Sequence, residues 1–163
     1  MKELREKIDE LTKERLNLKE QFDILFDTMG ELEINEPSFA LSHFGTKFLR
    51  LLKDYTTLKS EVAIWYFETK NRLKSQEAIF KLKKREELEM NGKKTTEGLL
   101  EDLVNADNDL NTFRSLKNTF EVLLAVVEDE INLLIEIIQM IKKVADVKSL
   151  VNVKLATNFE VGE

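Results

Sequence analysis

The sequence predicts an all-α fold of long antiparallel helices with heptad seams, a helical hairpin or elongated bundle that self-associates and ends in a short extended C-terminal tail. Three observations predict it. Apolar residues recur at steps of three and four over most of the 163 residues. Helix breakers are scarce, with five Gly and one Pro. A composition of 34% charged and 42% hydrophobic residues suits long helices better than sheets.

Residues 1–29 form the first element. Leu4, Ile8, Leu11, Leu18, Phe22, Leu25 and Met29 alternate steps of three and four, and only Arg15 interrupts the seam. Gly30 is placed to end the helix. Residues 30–38 are the linker, carrying Pro37 and the acidic Glu31, Glu33 and Glu36. Residues 39–146 are the main helical domain: one long helix to Asn91-Gly92, a glycine turn, and a second very long helix from the N-cap Thr96. In that last helix Leu99, Leu103, Ala106, Leu110, Phe113 and Phe120 keep the rhythm, and only Lys117 breaks it. Residues 147–163 change character. Val151, Val153 and Leu155 alternate with Asn152 and Lys154, the period of a strand and equally of an extended arm docked on a neighbour.

From Phe120 to Ile141 the helix is apolar on more faces than one partner covers, which predicts homo-oligomerisation through Phe120, Leu124, Val127, Ile131, Leu134, Ile138 and Ile141. The same stretch contains Glu121, Glu128, Asp129, Glu130 and Glu136, too many carboxylates for a membrane span. There is no cysteine and no signal-peptide pattern at the start, so the chain reads as soluble and cytoplasmic.

Catalytic chemistry finds no place. His43 has no nucleophile to serve, and a packing or solvent-facing role fits it. Gly92 and Gly98 lack the lysine spacing of a phosphate loop. Asp107 with Asp109, and Glu128 to Glu130, lack a histidine or a ligand-spaced loop, so they read as solvated helical faces. The expectation is a non-enzyme with no catalytic residue, no metal and no cofactor.

One charge feature stands out. The formal net charge is −6, yet Lys70, Arg72, Lys74, Lys81, Lys83, Lys84 and Arg85 set seven basic residues against the single acidic Glu77. At 100° per residue Lys70, Lys74, Lys81, Lys84 and Arg85 share an arc of about 100°, while Arg72 and Lys83 fall opposite. Phe67 projects on the same arc, where an exposed ring can stack a base. Trp65 falls on the core side, and Tyr66 at the margin fits either role. Residues 96–141 hold ten acidic residues against two basic ones, so the stripe can equally be a counter-charge to that helix.

Lys94-Thr95-Thr96-Glu97, with Val104 and Asp107 at their spacing beyond it, adds a resemblance. Together with the basic helix Lys70 to Arg85, the turn Asn91-Gly92-Lys93-Lys94 and the amphipathic run Phe113 to Ile141, residues 45–145 resemble the UvsY-type phage recombination mediators. The resemblance implies a helical oligomer that binds single-stranded DNA and loads a RecA-like recombinase onto strands covered by single-strand binding protein, in the host cytoplasm if phage-encoded. It carries the DNA contacts to Lys70, Arg72, Lys74, Lys81, Lys83, Lys84 and Arg85. The overall acidity and the helix of residues 1–29 depart from the family's pattern. The alternative is a helical interaction module with no nucleic acid ligand: an assembly chaperone, a structural coiled coil or an inhibitor of a basic partner, recognised through Glu31 to Glu36 and Glu128 to Glu130.

Overall fold

The computed structural model describes the backbone of residues 1–31 and 38–160, and side chains within 1–31 and 41–149. It is all-α. Four helices follow one another among the described residues: α1 (Lys2–Gly30), α2 (Ser38–Met90), α3 (Glu97–Ala106) and α4 (Asn108–Glu160). The linker expected over 30–38 lies largely outside the described residues. No helix among the described residues is long and apolar enough to cross a membrane.

The chain divides into two compact units, residues 1–12 with 60–125, and residues 13–59 with 126–163. In the first, α1 and α2 run antiparallel, since Lys7 meets Glu61 while Glu3 meets Arg72. Its interior holds Leu4, Leu11, Val62, Leu73, Leu100, Val104, Leu116 and Phe120, all buried. Leu73, Val104 and Leu110 form one cluster, with Phe80 and Phe113 packed against it. The sevenfold spacing of Leu4 and Leu11 places both on one side of α1, which explains their common burial.

In the second unit Phe48, Leu51, Tyr55 and Leu58 of α2 are buried with Leu18 of α1 and Val127, Ile131, Leu134, Ile137 and Ile141 of α4. Arg15, the break in the α1 seam, is satisfied there: its guanidinium donates from Nε and Nη2 to the Glu130 carboxylate at 2.6–3.1 Å. That carboxylate holds the Arg15 pKa above its ordinary value, and burial pushes the neighbouring Tyr55 phenol up. The other seam break, Lys117, reaches Glu121 at 2.9 Å, and Leu116 beside it takes the buried position.

Two expectations need correction. The helix from Thr96 is not continuous. Asp107 adopts an extended backbone, φ −75° and ψ 121°, and separates α3 from α4. Its N–H donates to the Val104 carbonyl, while its own carbonyl and Oδ1 accept from Asn111 and Leu110 N–H. Asp107 thus closes one helix and caps the next, a role for which a short acceptor side chain is suited. The tail is the second correction: residues 147–160 continue α4 as helix rather than an extended segment. Val151 and Leu155, two of the alternating residues, also follow Val147 at steps of four, so the segment satisfies the helical period as well. No Gly or Pro interrupts 108–160.

Candidate nucleic-acid interface

The basic stretch lies on α2 within the first unit, just before the turn to α3. That turn is fixed by Gly92, whose φ of +66° is open to glycine and costly to other residues. Gly92 N–H bonds Glu89 O and Lys93 N–H bonds Leu88 O, the paired bonds of a glycine-terminated helix. α3 then starts at Thr96, whose hydroxyl accepts from Leu99 N–H, with Glu97 in the first turn. Leu100 and Val104 bury its inner face. The outcome is that Glu97 and Glu101 stand over part of the basic stripe.

Lys81 donates to Glu97 at 2.7 Å and lies 3.8 Å from Glu101, and Arg85 reaches the other Glu97 oxygen at 3.4 Å. The hydrogen bond from Lys81 holds Glu97 below the usual carboxylate range, and the same bond raises the Lys81 pKa. Lys84 pairs with Glu87 at 2.7 Å and sits over the Phe80 ring. Arg72 pairs with Glu68 and approaches Glu3. Four of the seven cations therefore have carboxylate partners.

The other three make no ion pair among the described residues, although Lys70 lies within electrostatic reach of the Glu121 carboxylate. Lys70 lies over the Tyr66 ring, 5.5 Å from its centroid. Lys74 and Lys83 are exposed and make no ion pair among the described residues. Glu77, the single acid of the stretch, is held by Arg114 of α4 through Nε at 3.0 Å and Nη2 at 2.7 Å. Its charge is thus offset by a cation outside the stretch.

Phe67 is 55% exposed and meets Tyr66 edge-on at 5.2 Å. Trp65 is half-buried, with Lys7 6.0 Å from its ring centroid. Sequence reasoning missed a row of exposed apolar side chains on the outer side of α2, namely Ile64, Ile79 and Leu82. Their signal was their angular position away from the buried arc of Val62, Thr69 and Leu73. His43 is exposed with its ring against Phe44, and Asp107 serves as a cap. Among the described residues no group of three or more His, Cys, Asp or Glu is placed to hold a metal ion.

The residues expected to form the assembly surface lie mostly inside. Phe120, Val127, Ile131, Leu134 and Ile141 are buried in the chain's own interior, and Leu124 and Ile138 are half-buried. Among the described residues, the large apolar side chains of α4 that are exposed are others: Val122, Leu133, Ile135, Met140, Val144 and Val147. Comparison of the chain with protein-family models, curated proteins and solved structures gives no match.

Proposed function

We propose that the protein is a non-enzymatic single-stranded DNA-binding protein acting as a homo-oligomer. Following the family resemblance, it is a recombination mediator that helps load a RecA-like recombinase onto strands covered by single-strand binding protein. The observation that carries the DNA contact is the exposed Phe67 ring on the helix that also bears the unpaired Lys74 and, over Tyr66, Lys70. A π-face beside cations is what sequence-tolerant binding of a single strand needs, stacking a base while phosphates are neutralised. Contact with four or five phosphates gives a log-log salt slope of roughly −3 to −3.5 for single strands.

The test is fluorescence anisotropy with a labelled oligonucleotide over a salt series, on the natural chain and on Lys74→Glu/Lys81→Glu/Lys84→Glu. Binding that falls with salt and is lost in the variant supports the reading. No binding at low salt, or binding indifferent to the three charge reversals, sinks it.

A specific observation favours the second reading, a helical interaction module without a nucleic acid ligand. Lys81 and Arg85 already share Glu97, as a structural counter-charge would. Absence of oligonucleotide binding, together with retained helical content, selects it.

A further inference from the structure

In the second unit α4 carries an apolar seam that is left exposed among the described residues. Leu133, Met140, Val144 and Val147 are 42–59% exposed and follow one another at steps of seven, four and three. On a helix these steps return to one side, adjoining the buried arc of Val127, Leu134 and Ile141. Leu133 also lines a small cleft with Lys19 and Phe22 of α1, and the 43% exposed Phe26 stacks on Phe22 at 5.8 Å. Apolar surface therefore continues from α4 onto α1.

The charges beside the seam identify its occupant. Glu136 and Lys143 flank it on the side away from the core, both exposed and neither in an ion pair among the described residues. Glu136 lies four residues before Met140 and Lys143 three residues after it. Leu133 and Val147 each lie seven residues from Met140.

We propose that this seam pairs with the same seam of a second copy, antiparallel, about a two-fold axis at Met140. In that register Met140 meets Met140, Leu133 faces Val147 of the other chain, and Glu136 sits beside Lys143 of the other chain, twice. A two-fold interface must be self-complementary, and the opposite charges on either side of Met140 supply that. In a parallel pair the flank bearing Glu136 and Lys143 meets the opposite flank of the other chain, so neither cross-pair forms. The pairing deepens the self-association in the function proposed above, and does not depend on the DNA contacts of α2. One such dimer places two basic stripes in a single particle.

Sedimentation equilibrium on the full chain at up to about 100 µM, a range that detects weak dimers, reads the mass. The expected result is twice the 19.0 kDa chain, or a larger assembly whose mass Met140→Lys halves. Glu136→Lys and Lys143→Glu each weaken association at least about tenfold through like-charge contact, and the double variant restores it. Circular dichroism confirms that each variant is helical. The chain has no cysteine of its own, so direction is read by mild oxidation. Leu133→Cys chains mixed with Val147→Cys chains cross-link in the antiparallel pair, whereas each alone does not. A single-chain mass at every concentration, a dimer indifferent to Met140→Lys, or Leu133→Cys chains cross-linking among themselves overturns the proposal. A dimer that binds no oligonucleotide sinks only the DNA reading.

Discussion

Lys81 and Glu97 are 16 residues apart in sequence, and their side chains meet at 2.7 Å across the turn between α2 and α3. The bond occupies the Lys81 ammonium with a carboxylate, the kind of acceptor a phosphate oxygen would replace in the proposed DNA contact. Under the proposed DNA contact, nucleic acid at this part of the stripe would have to displace the α3 acid before it could be held.

If the proposed DNA contact holds, removing that acid strengthens it. Glu97→Gln/Glu101→Gln raises single-strand affinity about two- to fivefold at low salt, the modest size expected for exposed ion pairs. Anisotropy titration reads it, and a decrease contradicts the exchange.

The same pair has a defined pH response. Glu97 titrates below its ordinary value of 4.5, so its contribution is full above that value and is lost as pH falls through the lowered one. Lys81 titrates above its ordinary 10.5, so its share is full below that value and is lost as pH rises through the raised one. The difference in melting temperature between the natural chain and Glu97→Gln is accordingly present at neutral pH. It shrinks as pH falls through the lowered Glu97 value and disappears on its acid side, where both chains carry an uncharged group at position 97.

Thr69 is fully buried, and its hydroxyl has no hydrogen-bond partner among the described residues. Thr69→Val keeps the shape and removes an unsatisfied polar atom, which stabilises by about 1 kcal/mol. A rise of about 2–4 °C in thermal melting is the expected reading for a chain of this size.

Arg15 and Glu130 are both about four-fifths buried and joined by three hydrogen bonds. Arg15→Ala leaves a carboxylate with little water to replace its partner and costs about 2 kcal/mol. Arg15→Leu/Glu130→Leu costs much less, since no lone charge remains. Urea melts of the single and double variants separate the two cases.

The helices were legible because apolar periodicity survives averaging over many residues. Leu4, Leu11 and Leu18 announce a buried side of α1 whatever covers it. Single residues with two possible roles were less so. Asp107 reads as one carboxylate among many until its Oδ1 is seen capping Leu110, although Asp107-Asn108-Asp109 is a cluster of residues that favour helix starts. Val151, Val153 and Leu155 fit a period of two, Val147, Val151 and Leu155 fit a period of four, and only the continuity of α4 decides between them.

The site divides the same way. That Lys70 to Arg85 share a helix follows from the sequence, but which of them are free does not. Glu97 comes over Lys81 and Arg85 only because Gly92 folds the chain back. The surface of α4 was assigned by rhythm alone, and rhythm does not separate a seam turned inward, with Phe120 and Ile141, from one turned outward, with Met140 and Val147.

The ten-residue α3 is shorter than an isolated helix needs to persist in water, where about 12–15 residues are marginal. Its folding and its docking through Leu100 and Val104 are therefore one event. Whatever draws Lys81 and Arg85 away from Glu97 also loosens the first turn of α3. The amide protons of Leu99 and Leu100 thus become reporters of occupancy on α2: their exchange with solvent quickens when the stripe is filled.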